Sequence, residues 1–382
     1  MKINAPNKNI PELVSFNILA MGCQIQVNLN ITSLSLLCSK IEIEQHTALL
    51  ASDVQQKLTY WEHIFSRFDD SSELMRLNNH TDQWRDVSAE LFEVLQRAIQ
   101  FVPKTQGLVT PTLLQSLWAA GYKHSFETLP KLSMPTVPVI DPSATLNINS
   151  TAKESFQDTP VVNYDNQNIE RIQLRRLADG QYQVYLPAGM ALDLNGYVKG
   201  WCAMQLAEYI SQIHDWQIPC LVDMGGDIAI GMPKHQGTDV AITPIAWGVA
   251  IAKPYIIDSK QKQVHDDEDV AILKIRSGAV ATSGQDYRRW WYDGRWQHHL
   301  IHPHYSRPVT SDVLTATVLA TDTMTAEVYA KYCVMLGLKA AMAWLNKNHI
   351  AALLIDFDNK VMATSALDPY LVKPNLIASI GA

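Results

Sequence analysis

The chain has 382 residues, of which 47% are hydrophobic, with 18 Pro, 17 Gly and a mean hydropathy of -0.06. That composition is globular and excludes a disordered, collagen-like or low-complexity protein, and the length allows two domains or one large one. Lys and Arg number 31 against 38 Asp and Glu, a net charge of -7, so nothing marks a nucleic-acid or anionic-membrane binder, and any bound anion must be met by a local site.

The N-terminus, MKINAPNKNIPELVSFNILAMG, lacks the apolar core of a secretory signal, and no run of ~18 apolar residues follows anywhere. The expectation is a cytoplasmic protein without membrane insertion. Residues 15–29 end with Ile25, Val27 and Leu29 alternating with polar neighbours, the period of a half-buried strand. An amphipathic helix is predicted from about 45 to 66. Ser88 and Glu90 open a second helix over 88–102, and a third runs from Pro111-Thr112 to Ala120-Gly121. Residues 124–168, with five Pro and little apolar periodicity, read as an inserted surface excursion.

Beyond it come a strand at 181–186, a helix at 196–213, and a strand at 219–223 that runs into Met224-Gly225-Gly226-Asp227. Strands follow at Trp247–Ala252 and Val270–Ile275. RRWWYDGRWQHHLIHP (288–303) is predicted to be a hairpin turning at Asp293-Gly294. Strand 313–320, helices 322–336 and 338–347, and strand 350–357 close the pattern. Strands and helices without a strict βαβ rhythm give an α+β class. The expected organisation is a tail at 1–14, a core at 15–357 and a C-terminal segment at 358–382. Cys23, Cys38, Cys202, Cys220 and Cys333 are scattered without C-x-x-C spacing, which favours reduced thiols over disulfides or a zinc knuckle.

Four segments have the residue types for chemistry. In ALDLNGYVKGW (191–201), a strand delivers Asp193, Asn195-Gly196 turns the chain, and Lys199 falls in the first turns of a helix, a setting for phosphate. The same residues also fit a left-handed structural turn with a surface lysine. In VDMGGDIAIG (222–231), two glycines permit close backbone approach beside Asp227, or simply a tight turn. In GAVATSGQDYRRW (278–290), Thr282-Ser283-Gly284 suit a phosphate or a ring edge, while Arg288 and Arg289 read as solvated. The fourth is the run His298, His299, His302 and His304. Strand alternation puts His299 opposite the other three, a set that has the donors for zinc or another transition metal.

In this order these segments resemble the ApbE family of FAD:protein FMN transferases. The matching stretches are Met21-Gly22-Cys23, SRFDDSSELMRLN (66–78), GLVTPTLLQSLWAAGY (107–122), LDLNGYVKGW (192–201), VDMGGDIAIG (222–231) and VATSGQDYRRW (280–290). HHLIHPHYSRP (298–308) and TATVLATDTMTAEVYAKYCVMLG (315–337) complete them.

The resemblance implies an α+β fold of mixed sheets and packed helices, with a flavin nucleotide site in the cleft between subdomains. It implies FAD as substrate, Mg²⁺ as metal, and a target protein whose threonine hydroxyl takes FMN as AMP leaves. On the family pattern Met21, Asn78, Thr110, Asp193, Lys199, Gly225, Gly226, Asp227, Thr282, Ser283, Gly284 and Ile301 hold FAD. His299 has an acid/base or positioning role, and Gly196, Glu327 and Lys331 occupy the metal region. The chain departs from that pattern at several points. His302 replaces an Asp, Asn195 a Gly, Cys23 a Thr and Thr110 an Asp. The metal pair of Asp and Thr becomes Glu327 and Lys331, so a hydroxyl ligand gives way to an ammonium and weak magnesium binding is expected. Two other readings stand beside transfer: an ApbE-like FAD binder without it, and a histidine-based metal protein.

Overall fold

The computed structural model describes residues 12–35, 37–126, 168–214, 216–233, 246–254, 256–257, 263–264 and 268–372. Most of the 124–168 excursion therefore lies outside the described residues. The framework is one eight-stranded sheet whose neighbours follow chain order. Its strands are β1 (Leu13–Ala20), β2 (Cys23–Asn30), β3 (Cys220–Met224), β4 (Asp227–Gly231), β5 (Gly278–Gly284), β6 (Val313–Ala320), β7 (Ala352–Asp356) and β8 (Val361–Ala363). Every pairing is antiparallel.

The single strand expected over 15–29 is two. Met21 and Gly22 both have positive φ (53° and 65°), the signature of a two-residue hairpin turn, and fold β1 back on β2. The same device recurs at Gly225-Gly226 (72° and 96°) between β3 and β4, and at Asp293-Gly294 (50° and 72°) in the hairpin Arg289–Tyr292/Arg295–His298. The sheet also runs on through β8, so the residues just after 357 are part of the fold.

The longer helices are α1 (Lys40–Phe65), α2 (Ala89–Lys104), α3 (Val198–Glu208), α4 (Thr323–Leu336) and α5 (Leu338–Lys347), with short ones at Glu73–Asn78 and Leu114–Ala119. The first starts five residues before its predicted bound, because Ser39 and Glu42 form a reciprocal capping box. Asp322 caps α4 by accepting from the Thr325 N–H at 3.0 Å, and it also accepts from Arg97 Nη2 at 2.6 Å.

Both faces of the sheet are covered. Cys220, Val222 and Met224 of β3 pack into the core with α1, α2 and α3, while Leu221 faces the other way. There Leu221, Val280, Leu319 and Leu353 meet Trp247, Val249 and Leu273 of the two-stranded sheet Trp247–Ala252/Asp269–Ile275. Helix α4 lies close to β5 because the contact is made by Ala279, Ala281 and Ala326, whose methyl groups keep the backbones near. Cover on both faces leaves β6 buried at every position from Val313 to Leu319, with Thr315 and Thr317 enclosed among its apolar residues.

Candidate functional site

The first turn of α3, the lower half of α4, the Gly225-Gly226 turn, the end of β5 and the His299–Ile301 segment converge on one cavity of about 520 Å³. That volume is in the range of a small-molecule site. Lining it are Thr110, Asp193, Gly196, Lys199, Gly225, Gly226, Thr282, Ser283, Gly284, His299, Ile301, Glu327 and Lys331. Segments as far apart in sequence as 110 and 331 thus meet around one space.

Lys199 is not a surface lysine. Its Nζ donates to Asp227 Oδ2, with the two side chains 20% and 1% exposed. Burial opposes its charge, but the Asp227 and Glu327 carboxylates outweigh burial and hold the ammonium above the ordinary lysine range. Asp227 itself is not among the lining residues and meets the cavity through Lys199. Gly196 is not in a left-handed turn either. A Cβ on it would meet Lys331 Cε at 3.3 Å, so the glycine gives room to the lysine stem.

Glu327 is buried on α4. Its Oε2 accepts from the Gly200 N–H at 3.0 Å and its Oε1 from Lys331 Nζ at 2.8 Å. Burial and the Asp227 charge push its carboxyl above the usual range, and Lys331 and Lys199 pull it back. The Glu327–Lys331 pair is enclosed, at 1% and 12% side-chain exposure.

Magnesium does not fit this set of groups. Both Glu327 oxygens already accept hydrogen bonds, and an ammonium stands where a second oxygen ligand would be needed. Asp227 Oδ1 is buried without a partner, but one oxygen beside the Lys199 ammonium is far from the octahedral oxygen shell Mg²⁺ requires. Among the described residues no three His, Cys, Asp or Glu are grouped to hold a metal.

His299 is half-buried, and its Nδ1 is buried with no hydrogen-bond partner. Burial, then the charge of Arg288, hold the imidazole well below its ordinary value, with His298, Lys331 and Lys199 adding to the effect. It is therefore neutral at physiological pH and offers a lone pair or an N–H to a ligand. The shared face expected for His298, His302 and His304 does not exist, because the chain breaks between strands at His299-Leu300. His298 is buried with Nε2 2.9 Å from the Val309 carbonyl, whereas the His302 ring packs tilted against Tyr305 at 4.5 Å between ring centres.

Met21 and Asn78 do not line the cavity. Met21 packs on the core at the turn before Gly22 and Cys23, which do line it. Asn78 works from behind: its amide donates to the Leu192 carbonyl (2.9 Å) and accepts from the Leu192 N–H (2.7 Å), fixing the chain just before Asp193. Sequence reasoning missed Arg67 and misjudged Arg288. Arg67 is 2% exposed, lies 4.2 Å from the ring centres of both Phe68 and Tyr122, and places Nε 3.7 Å from Asp193 Oδ1. Arg288 lines the cavity rather than a solvated face. Its position four residues after the Thr282-Ser283-Gly284 strand end was the available signal.

The ApbE family's sequence profile matches residues 21–354, most of the chain. The chain belongs to the ApbE family. Among its ApbE relatives, the FAD:protein FMN transferase of Vibrio cholerae is 26% identical over 333 residues, 85% of either chain. That of Treponema pallidum is 27% identical over 332 residues, covering 85% of this chain and 81% of that protein. The crystal structure of the ApbE protein from Thermotoga maritima superposes with a TM-score of 0.69 at 19% identity, covering 95% of this chain and 100% of that one. The flavin transferase ApbE of Vibrio cholerae gives 0.62 at 23%, with the same coverage. These superpositions establish the α+β ApbE fold. Among the described residues no helix is long and apolar enough to cross a membrane.

Proposed function

We propose that this chain is an FAD:protein FMN transferase that binds FAD in the 520 Å³ cavity and passes FMN to a threonine hydroxyl of another protein. The observation that carries the reading is the convergence of two half-buried ammonium groups, a small hydroxyl-bearing strand end and a neutral histidine with a free nitrogen on one ligand-sized space. The curated relatives, spanning most of the chain, bear that activity in their names.

In this reading Lys199 and the Thr282–Gly284 strand end take the pyrophosphate, with the Gly225-Gly226 turn alongside. Asp193, tethered by Arg67 and held in place through Asn78, accepts hydrogen bonds from the nucleotide. The reaction is a phosphoryl substitution, in which positioning and charge neutralisation matter more than covalent help from the protein. The acceptor oxygen forms a bond to the flavin-side phosphorus. The bridging P–O bond breaks, its electron pair leaves on AMP, and the hydroxyl proton passes to His299 and then to water. No step is routed through magnesium, which the residues present do not fit. The free cysteines suit a cytoplasmic setting.

Titration of the purified chain with FAD tests the binding half of the proposal. Saturable quenching of flavin fluorescence is expected, and no binding at any accessible FAD concentration would overturn it.

A further inference from the structure

The enclosed ion pair on α4 bears on how the substrate's charge is neutralised; the inference rests on the FAD reading above. A pyrophosphate entering a low-dielectric cavity needs positive charge close by. A divalent cation is the usual source, but it requires several oxygen ligands that are not already engaged. Here the carboxylate nearest that position has both oxygens engaged, one by the Gly200 N–H and one by Lys331 Nζ. The Lys331 stem passes over Gly196, whose missing side chain leaves it room. An ammonium has three N–H donors, and Glu327 uses one, so the others remain for a ligand of the cavity that Lys331 lines. Lys199 is arranged in the same way on Asp227, and Arg288 lines the same space.

We propose that Lys331, held by Glu327, is a built-in replacement for the divalent cation, and that with Lys199 and Arg288 it makes the site bind a dinucleotide pyrophosphate without magnesium. The two carboxylates then act as anchors for ammonium groups rather than as metal ligands. Gly196 and Gly200 serve the same arrangement: the first admits the Lys331 stem, and the second presents its N–H to Glu327 at a distance where a Cβ would meet Oε2 at 2.8 Å.

The test is FAD affinity measured by fluorescence quenching on the full chain in EDTA and again in millimolar Mg²⁺. The native protein is expected to bind equally in both, within about twofold. Lys331→Thr should lose about tenfold or more in EDTA, and Glu327→Asp with Lys331→Thr should bind only when Mg²⁺ is present. Lys331→Gln removes the charge but keeps a donor for Glu327, so it reports on charge even if the threonine variant unfolds; thermal melts identify folded variants. Its affinity in EDTA should fall as well, while Lys331→Arg should keep it. Native binding that vanishes in EDTA and returns with Mg²⁺ overturns this inference and leaves the transferase reading standing. Unchanged EDTA binding by a folded Lys331→Gln variant overturns it too. Absence of FAD binding under both conditions overturns the reading on which it rests, and the inference with it.

Discussion

Glu327 Oε1 accepts a hydrogen bond from Lys331 Nζ at 2.8 Å, one helical turn away on α4, and both side chains line the cavity. At 1% and 12% exposure the pair is shielded from solvent, so the small contribution of a surface helical pair does not apply. Removing one partner leaves a buried charge alone. Lys331→Ala is expected to destabilise the fold by ~3 kcal/mol in urea denaturation, while replacing both residues by apolar ones of similar size should cost much less. Equal losses in the two variants would contradict the pair's enclosure.

Lys199 should matter for binding more directly. Lys199→Ala removes a charged donor from the cavity and is expected to weaken FAD binding by ~1–3 kcal/mol. Calorimetric titration of a variant whose melting curve remains cooperative checks this. Unchanged affinity would place the pyrophosphate elsewhere.

His299 lines the cavity with a buried, unpartnered Nδ1; His302 does not line it. His299→Ala should reduce transfer by about two orders of magnitude with little change in FAD affinity, a general acid/base contribution. His302→Ala should leave transfer near the native rate. Because burial and neighbouring cations hold His299 well below the ordinary histidine value, its acidic limb in the rate profile should lie well below pH 6.5. A limb near 6.5 would mean a solvated histidine carries the role.

Acid stability follows from the same histidines. His298 is pushed down to about 4, first by burial, with its Nε2–H donating to the Val309 carbonyl and its Nδ1 accepting from the Leu300 N–H. A group with a depressed folded value contributes stability above its unfolded value of ~6.5 that is lost as pH falls. His298 and His299 should therefore make the melting temperature drop between pH 6.5 and 4, and His298→Gln should flatten part of that drop. A melting temperature unchanged across that window would contradict neutral burial of the two rings.

Gly200 lies at the contact of α3 with α4. A Cβ there would meet Met324 Cα and N at 3.0 Å, both backbone atoms that cannot swing aside. Gly200→Ala should cost ~1–3 kcal/mol by forcing the helices apart and should weaken FAD binding through Glu327. Gly107→Ala, with positive φ but open space around it, should strain only its own turn.

Much of the fold was legible because local rules and tertiary packing agree. Strand β6 and helix α5 stand at their predicted bounds, and Asp293-Gly294 turns the hairpin as its type demands. The two strands within 15–29 were misread as one because Met21, an ordinary residue in sequence, occupies a positive-φ position that nothing in its chemistry announces. The site was legible as a set of segments but not as a set of roles. Asp227 and Asn78, expected among the residues that hold FAD, stand outside the cavity lining and bond Lys199 and Leu192. Sequence order cannot distinguish a residue that touches the ligand space from one that holds its neighbour. Arg67 was missed for the same reason: its stacking between Phe68 and Tyr122 joins residues 55 positions apart.

The most direct test of the central claim is a mass balance on FAD. The chain is incubated with FAD and, as probe, the protein substrate of the Vibrio cholerae relative, while AMP is followed by chromatography and the probe by mass spectrometry. AMP should appear in step with a probe adduct of FMN mass, with the adduct on a threonine and almost no AMP when the probe is omitted. FAD split to AMP and free FMN at the same rate with and without the probe would contradict transfer to protein, and FAD left intact by a chain that does not bind it would contradict the flavin site itself.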